Sequence, residues 1–405
     1  MEEEASNKSS PPHNIALLPP PCFLGHLIPF IELSKKLVSQ HNCCIVTLII
    51  PHDHKSTLKT LLQNIPPQST LLYSPISTAD LPENIKAEIL VPIRVIRSLP
   101  SLRQTLSSLR TPASALVVDL FAPYAIDLDE SCGLSKEYRD LSEPIRLPGS
   151  IVLNPDDFPD SMKDRNSEVN TWMVDRARGI PPVYPVGPLI RTGPETESDR
   201  GSECLKWLNN QPPKSVLFVS FGSGGTLSLD QFTELALGLE MSKQRFLWVV
   251  RTPQENIAAA YLNTGKNIGN NPLDYLPQGF LERTKERGLV VASWAPQIQV
   301  LSHGSTGGFL GVPLIAWPLC FEQKMNAVVL RDGLKAAIRV EESENGIVER
   351  GYVSETVKQL MEGEEGKRIR ERIMDLNIAA GNALSQEGSS SKALAHVVQK
   401  WISGK

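Results

Sequence analysis

The chain has 405 residues, of which 41% are apolar and 21% are charged, and its 41 basic and 45 acidic residues give a net charge of −4. These values are ordinary for globular proteins and exclude wholesale disorder. At about 150 residues per domain, the length allows two or three domains. A nucleic-acid-binding protein presents a strongly basic face, so the near-neutral charge balance argues against nucleic acid as a partner.

The first residues and the cysteines predict a cytoplasmic protein without a membrane span. The segment MEEEASNKSS at residues 1–10 has neither the basic region nor the apolar region of a signal peptide. The strongest apolar run, Cys43–Ile50, is too short to cross a bilayer. The six cysteines form no C-x-x-C pair, which favours buried reduced thiols over a disulfide framework.

Short apolar runs alternate with helical spacing in the first half of the chain. Residues 14–18, 43–50 and 115–121 are predicted strands, and the apolar spacing from Leu27 to Val38 predicts a helix. Strands that are apolar throughout and that alternate with helices are typical of a parallel sheet covered on both faces.

A second series of strands and helices follows a stretch rich in proline and glycine at 179–200, which predicts a linker. The predicted strands are 215–221, 245–251, 288–294, 306–310 and 312–317, with helices at 229–241 and 391–402. The sequence thus predicts an α/β protein with two doubly wound, Rossmann-like domains, 1–178 and 201–390, which face a cleft, and a C-terminal helix within 391–405. Ligands of such sheets bind beyond the carboxyl ends of the strands.

His26 and Asp119 are the candidate catalytic residues. His26 follows the first predicted strand, and Asp119 lies near the end of the strand at 115–121. Imidazole can act as a general base near neutral pH. A carboxylate bonded to the far ring nitrogen would fix the tautomer and stabilise the imidazolium that forms. The alternatives are a histidine that bonds a neighbouring backbone group and an aspartate that caps the next helix.

The loop Gly222-Ser223-Gly224-Gly225 follows the strand at 215–221 and could bring backbone N–H groups close to a phosphate. It is not a P-loop, because no Lys-Ser/Thr pair follows it. It is not a dinucleotide fingerprint either, because Leu227 takes the place of the third glycine and Arg251, not an acidic residue, ends the next strand. A nicotinamide-dependent oxidoreductase is therefore disfavoured, and a turn without a ligand is the alternative.

Two further segments carry residues suited to a flat base and to sugar hydroxyls. The indole of Trp294 could stack on a flat base, and Gln297 could bond a sugar hydroxyl. Glu322 and Gln323 offer acceptors and donors for further hydroxyls. Read alone, segments of both kinds more often serve loop packing than ligand contact.

Taken together, these segments resemble the plant family 1 UDP-glycosyltransferases, and the similarity covers most of the chain. The matching runs are LGHLIPFIELSKKLV at 24–38, ALVVDLF at 115–121, PPVYPVGPLI at 181–190, ECLKWLNNQPPKSVLFVSFGSGGTLS at 203–228, LPQGFLERTKERGLVVASWAPQIQVLSH at 276–303 and GVPLIAWPLCFEQKMNAV at 311–328.

The resemblance implies the GT-B fold, with an acceptor-binding first domain and a second domain that binds UDP-glucose. His26, partnered by Asp119, would deprotonate a small phenol such as hydroquinone. Transfer would invert the anomeric carbon and give a β-glucoside, with no metal or other cofactor.

The resemblance also implies roles for the residues on the donor side. Trp294 would stack on uracil, Ala295 would contact the edge of uracil through its backbone, and Gln297 would meet the ribose. Ser223 would lie beside the diphosphate. Glu322 and Gln323 would hold the glucose hydroxyls.

The chain departs from the family pattern at three apparent internal gaps. The donor signature of the family spans about 44 residues, whereas Trp294–Gln323 spans 30, with the gap between Leu310 and Gly311. The absent part, His-Cys-Gly-Trp-Asn-Ser…Glu in the family, binds diphosphate and ribose. Gaps near Ser135 and Ala177–Gly179 would leave the first domain incomplete. We therefore expect impaired activity, and the alternative is a non-catalytic pseudoenzyme or small-molecule binder from a splice variant or a faulty gene model.

The gap at Leu310–Gly311 also predicts a local rearrangement. Parallel neighbours in a sheet need a crossover of about a dozen residues, and only Gly311 separates the predicted strands 306–310 and 312–317. The two strands are therefore not expected to lie side by side in their family places.

Overall fold

The computed structural model of the chain divides into two compact units, and each is described by itself. The first unit comprises Met1–Ser131, Arg176–Pro194 and Gly381–Lys405, and the second comprises Cys132–Asp175 and Glu195–Ala380. Within these units the structure describes residues 13–19, 24–40, 44–51, 69–74, 87–119, 145–147, 151–158, 183–190, 202–222, 225–255, 271–309, 314–320 and 322–403.

The first unit contains a parallel sheet in the order β3-β2-β1-β4. Its elements are β1 (His13–Leu18), α1 (Leu24–Gln40), β2 (Cys44–Pro51), β3 (Ser69–Ser74), α2 (Ala87–Ser107) and β4 (Ala113–Val118).

Both faces of this sheet are covered, which explains why its central strands, β1 and β2, are mostly apolar. Ile15 and Leu17 of β1 point to the face that α1 covers. The intervening Ala16 and Leu18 pack with Leu102 of α2. Side chains alternate between the two faces of a strand, so every position of β1 from Ile15 onwards meets apolar neighbours.

The second unit contains a parallel sheet in the order β12-β11-β10-β7-β8-β9, beside an antiparallel pair, β5 and β6. The elements from β5 to α9 are β5 (Ile145–Leu147), β6 (Ile151–Leu153), a 3-10 turn (Pro155–Asp157), α3 (Ser202–Asn209), β7 (Val216–Val219), α4 (Leu229–Ser242), β8 (Arg245–Val250), a second 3-10 turn (Pro272–Tyr275), α5 (Phe280–Thr284), β9 (Gly288–Ala292), α6 (Gln297–Ser302), β10 (Thr306–Phe309), β11 (Leu314–Ala316), α7 (Gln323–Val328), a π-helical turn (Val329–Gly333), β12 (Ala337–Arg339), α8 (Arg350–Met361) and α9 (Glu364–Leu384).

The order of these strands confirms the predicted doubly wound topology. The first strand of the parallel sheet, β7, lies in the middle, with β8 and β9 on one side and β10, β11 and β12 on the other. The strand order therefore reverses between β7 and β10. In open α/β sheets, the crevice at such a reversal is where ligands bind.

Strands β10 and β11 lie side by side and parallel, although only residues 310–313 separate them. They lie side by side contrary to the crossover argument, whereas the expectation that they do not occupy the places of the family's strands stays a prediction. The two strands share a single residue pair, Phe309 with Leu314. The pair joins the last residue of β10 to the first residue of β11, so the two strands are offset and do not overlap along their length. A long crossover is needed only when two parallel strands overlap along their length.

Helix α4 packs closely on α8 because Gly238 leaves room for the second helix. A Cβ added at Gly238 would lie 2.5 Å from the Cβ of Val353 and 3.0 Å from the backbone oxygen of Arg350. Around this contact, Arg350 pairs with Glu234, and the pair lowers the pKa of the Glu234 carboxyl. The buried amide of Gln231 donates to the carbonyl of Val348 at 3.0 Å.

Gly238→Ala is expected to destabilise the protein although alanine is the better helix former. The helix-propensity gain is about 0.5–1 kcal/mol, whereas overpacking a tight contact costs about 1–3 kcal/mol. The control is Gly381→Ala in α9, where a Cβ meets nothing within 4 Å and the propensity gain alone should appear. Urea denaturation should give a lower midpoint for the first variant and an equal or higher midpoint for the second. A higher midpoint for Gly238→Ala would contradict the packing argument.

The closing helix α10 (Ser389–Ser403) belongs to the first unit. Its Leu394 and Val398 are buried in the same cluster as α1 and β1. The predicted linker, described at 183–190, lies on this unit as well, where Lys36 donates to the carbonyl of Pro188 at 3.1 Å.

Residues 145–158 belong to the second unit, whereas the sequence-based boundary at 178 groups them with the first. Arg339 of β12 pairs with Asp157 at 2.6 Å, and Leu153 and Phe158 pack against Val328. These contacts join residues that are far apart in the chain, so the compact units do not follow chain order.

Among the described residues, no helix is both long and apolar enough to cross a membrane. Neither Cys204 nor Cys320 forms a disulfide bond. Burial raises the pKa of the Cys204 thiol to about 11, so this thiol stays protonated near neutral pH and is chemically quiet. The prediction of buried reduced thiols is confirmed at Cys204.

Candidate active site

His26 and Asp119 are brought together by two neighbouring strands of the first unit. Leu18 at the end of β1 pairs with Val118 at the end of β4, and Asp119 follows directly. His26 lies in the first turn of α1, the helix that follows β1. The Nδ1 atom of His26 and the Oδ2 atom of Asp119 are 2.9 Å apart. The predicted pair therefore exists in the structure.

The geometry of the pair suits a general base. An ionised carboxylate can only accept hydrogen bonds, so Nδ1 is the donor and Nε2 carries the lone pair of the neutral ring. The side chain of Asp119 is only 12% exposed, whereas that of His26 is 37% exposed. The carboxylate is thus shielded from water while the imidazole is accessible to a small molecule.

His26 lies within α1 and not ahead of the helix, where a helix from Leu27 would leave it. The apolar spacing begins at Leu27, but α1 already begins at Leu24. Gly25 and Pro29 flank the histidine in a way that conceals a helix start, because both residue types are rare in helix interiors. The helical position leaves the ring at the carboxyl end of the sheet, as predicted.

On the second unit, Trp294, Ala295 and Gln297 follow the end of β9. The indole of Trp294 is 53% exposed. Ala295 is buried at 6% exposure among the apolar residues under β7 and β8. Gln297 is exposed and is the first residue of α6. The segment therefore offers an aromatic face and an amide to solvent, with Ala295 as its anchor.

Glu322 and Gln323 lie after β11, where α7 begins. Glu322 is exposed and occupies the N-cap position of the helix without a side-chain capping bond. The Oε1 atom of Gln323 accepts the backbone N–H of Leu319 at 2.8 Å. This bond fixes the rotation of the Gln323 amide, whose NH2 group is a hydrogen-bond donor.

Between these two segments lies the glycine-rich loop after β7. Ser223, the predicted diphosphate contact, lies outside the described residues. The backbone at Gly225 passes so close to Phe221 that a Cβ there would lie 2.2 Å from the Phe221 carbonyl oxygen. Only glycine fits at this position.

All of these residues follow strands of one parallel sheet, so they lie along its carboxyl edge. Strands β9 and β11 are four strand steps apart in the order β11-β10-β7-β8-β9. At a spacing of about 4.8 Å per step, the two groups are ~19 Å apart. They cannot contact the same ring of a ligand, but a long molecule with a base at one end and a sugar at the other could reach both.

One feature of this edge was missed by the sequence analysis. Ser293, directly before Trp294, has a positive φ of 68°. Serine is not among the residues enriched at positive φ, so no signal in the sequence could have found it. Among the described residues, no group of three or more His, Cys, Asp or Glu side chains could hold a metal ion.

No protein-family model matches the chain, but close relatives are known. The hydroquinone glucosyltransferase of Rauvolfia serpentina is 44% identical over 469 aligned positions, which cover 96% of this chain and 98% of that protein. UDP-glycosyltransferase 72B1 of Arabidopsis thaliana is 40% identical over 472 positions, with 97% of both chains covered. The first alignment has 469 positions and this chain has only 405 residues. At least 64 positions of the alignment (469 − 405) therefore hold no residue of this chain.

Solved structures agree with this result. A UDP-glucosyltransferase from Polygonum tinctorium capable of glucosylating indoxyl, in complex with 3,4-dichloroaniline, has a TM-score of 0.83 at 37% identity, with 97% of this chain and 99% of that chain covered. UGT2 of Phytolacca americana, in complex with UDP-2-fluoro-glucose and pterostilbene, has a TM-score of 0.80 at 38% identity, with 96% and 100% covered. With relatives this similar along nearly their whole length, the chain belongs to the plant UDP-glycosyltransferases and has their GT-B fold.

Proposed function

We propose that the chain transfers glucose from UDP-glucose to the hydroxyl of small, hydroquinone-like phenols and forms β-glucosides. The observation that carries the proposal is the 2.9 Å contact between His26 and Asp119. It is supported by the relative from Rauvolfia serpentina, which is a hydroquinone glucosyltransferase. It is also supported by the Phytolacca americana protein, whose complex contains a UDP-glucose analogue and the phenol pterostilbene.

In the proposed reaction, His26 is the general base. Its Nε2 atom takes the proton of the phenol as the phenol oxygen attacks the anomeric carbon. The bond between that carbon and the diphosphate breaks, and UDP leaves with the electron pair. Asp119 holds the Nδ1–H and stabilises the imidazolium that forms. Attack opposite the leaving group inverts the carbon, so the α-linked donor gives a β-linked product.

The donor is assigned to the carboxyl edge of the sheet in the second unit. Uracil stacks on the indole of Trp294, with the Ala295 backbone at its edge and Gln297 at the ribose. The glucose hydroxyls bond Glu322 and Gln323, about four strand steps away. Ser223 is assigned to the diphosphate. The separation of these groups along the edge supports the assignment, because a nucleotide sugar has its base and its hexose at opposite ends.

We propose that the reaction uses no metal and no cofactor besides the sugar donor. UDP is a poor nucleophile but an adequate leaving group, and backbone N–H groups at the Gly222–Gly225 loop can stabilise its charge. The expected partners are therefore UDP-glucose and a small phenol. The predicted cytoplasmic location stays a prediction.

We further propose that turnover is lower than in relatives with a complete donor signature. The proposal is supported by the 64 or more aligned positions that this chain lacks relative to the Rauvolfia serpentina enzyme. It is also supported by the short connection at 310–313, where the sequence-based comparison puts the missing diphosphate segment. Removal of one group that stabilises transition-state charge typically costs ~10²–10³ in rate.

A non-catalytic binder is the second candidate, favoured by the same missing positions. The two candidates differ in what the chain does with UDP. An enzyme of reduced rate must still bind UDP, whereas a degraded pseudoenzyme is under no evolutionary pressure to keep a nucleotide site.

The test combines calorimetry with turnover on the purified full chain. We expect UDP to bind with micromolar affinity and UDP-glucose with hydroquinone to give a glucoside at least ~100-fold more slowly than the Rauvolfia serpentina enzyme run in parallel. Turnover equal to that enzyme would refute the impairment and leave the function intact. Absence of UDP binding would overturn the glucosyltransferase proposal in favour of the binder.

A further inference from the structure

Ser293 joins β9 to Trp294 in a backbone conformation that serine rarely adopts. Its φ is 68°, and the N–H of Trp294 donates to the carbonyl of Ala292 at 2.8 Å. A hydrogen bond between residues two apart, around a central residue with positive φ, defines the rarer and more strained of the two γ-turns. Residues other than glycine rarely adopt a positive φ, because their Cβ atom crowds the backbone.

The turn is fixed at both ends. The N–H of Ser293 continues the strand ladder by donating to the carbonyl of Val250 at 2.8 Å. On the other side, Ala295 is buried with Val216, Phe218 and Leu247 beneath the sheet. The chain must therefore change direction within Ser293 and Trp294, and the strain at Ser293 is held by contacts on either side of it.

The consequence of the turn is an exposed indole. Trp294 is 53% exposed, whereas Trp248, in the neighbouring strand β8, is 1% exposed. A large aromatic side chain left half in water gives up part of the stabilisation that burial would supply. A strained residue thus adjoins a tryptophan that gains only part of the stabilisation of burial. Strain held in this way is typical of sites that bind a ligand.

We propose that Ser293 is a positioning residue, whose γ-turn holds the Trp294 indole in the orientation that stacks on the uracil ring of the donor. This inference rests on the proposed function, since it takes UDP-glucose as the ligand. Ser293 itself need not touch the nucleotide. Its role is to set the direction of the backbone. The residue type at position 293 therefore affects UDP binding only through the φ angle that it allows.

Two substitutions separate a role of Ser293 in setting the backbone φ from a role of its hydroxyl. Ser293→Gly keeps the positive φ accessible and removes the hydroxyl, so UDP binding should stay within about twofold of the wild type. Ser293→Val places a β-branched side chain where positive φ is strongly disfavoured, so the turn should open and the indole should leave its place. Its Kd for UDP by calorimetry and its KM for UDP-glucose should rise about tenfold, the range of one base–aromatic stack.

The kinetic pattern distinguishes positioning from mere structural damage. Uracil is remote from the reacting carbon, so its stacking contributes equally to ground state and transition state, and its loss should raise KM with little change in kcat. Partial unfolding would instead lower kcat at constant KM. Lys243→Val is the matched control, because Lys243 also has a positive φ, of 59°, but caps the end of α4. The Lys243→Val variant should lose stability as Ser293→Val does, but its KM for UDP-glucose should stay unchanged.

Trp294→Ala completes the set and separates the two proposals. If Trp294→Ala weakens UDP binding about tenfold and Ser293→Val does not, the positioning role of Ser293 is wrong and the donor site stands. If Trp294→Ala binds UDP as the wild type does, the indole does not stack on uracil, and both the assignment of Trp294 and the role of Ser293 are overturned.

Discussion

His26→Ala is expected to lower the rate of glucoside formation by ~10²–10⁴-fold, the usual contribution of a positioned general base. The substitution removes the only group that the account assigns to the phenol proton. A phenol with a pKa near 10 is almost wholly protonated at neutral pH, so attack without a base must proceed through a rare phenolate or a charged oxonium. UDP binding should not change, because the account places the nucleotide on the second unit.

Asp119→Asn tests the other half of the pair. An amide keeps the shape of the carboxylate but carries no charge, so it neither stabilises the imidazolium nor enforces Nδ1 as the donor. We expect a rate between those of the wild type and His26→Ala, with KM for UDP-glucose unchanged. The control is His396→Ala, an exposed histidine that packs on Tyr184 in the same unit. A His26→Ala variant with more than about a tenth of wild-type turnover would rule out the general base.

Among the variants considered, Trp248→Ala is expected to lower the free energy of unfolding most, by about 3–5 kcal/mol. The indole is 1% exposed. Its ring centroid lies 4.9 Å from that of Phe232 in α4 and 6.3 Å from that of Phe280 in α5. Removal leaves a large cavity between the sheet and two helices that are too rigidly packed to fill it. Such a loss is a large fraction of the 5–15 kcal/mol that typically stabilises a domain.

The matched variant for this prediction is Trp294→Ala, the same substitution one strand away. Because Trp294 is 53% exposed, its removal should change the free energy of unfolding by less than about 0.5 kcal/mol. Urea denaturation should be monitored by far-UV circular dichroism. Tryptophan fluorescence is unsuitable because each variant lacks one tryptophan. Equal losses for the two variants would contradict the placement of Trp248 in the core and of Trp294 at the surface.

The central strands β1 and β8 were predictable because they are buried on both faces. Uninterrupted apolar runs produced the predictions at 14–18 and 245–251, and the strands lie at His13–Leu18 and Arg245–Val250. The ends were less accurate, since periodicity does not show where hydrogen bonding stops. The run 115–121 ends as a strand at Val118, and this places Asp119 just beyond the sheet, where its side chain reaches His26.

Long-range contacts and local strain could not be read from the sequence. Asp157 and Arg339 meet across 182 positions of the chain, and no periodicity links them. The positive φ at Ser293 arises because the chain is fixed on either side of the turn, by the strand ladder with β8 and by the buried Ala295. The single-pair contact of β10 with β11 was excluded by a rule for overlapping strands that does not apply to offset ones.

The His26–Asp119 contact was predictable because parallel topology constrains it. A residue after the first strand and a residue after a neighbouring strand must share the carboxyl edge of the sheet. The donor-side residues follow the same rule, but the sequence alone gives no strand order. Only the observed order shows that Trp294 and Glu322 are about four strand steps apart, a separation that suits an extended ligand.

The most direct test of the account is the product that the purified full chain forms from UDP-glucose and hydroquinone. Proton NMR of the reaction should show hydroquinone glucoside with a β-configured anomeric proton and released UDP in equal amount. When His26 is replaced by alanine, both products should form at least ~100-fold more slowly. An α-linked glucoside, or glucoside formed equally well by His26→Ala, would contradict the inverting, histidine-based transfer proposed for this chain.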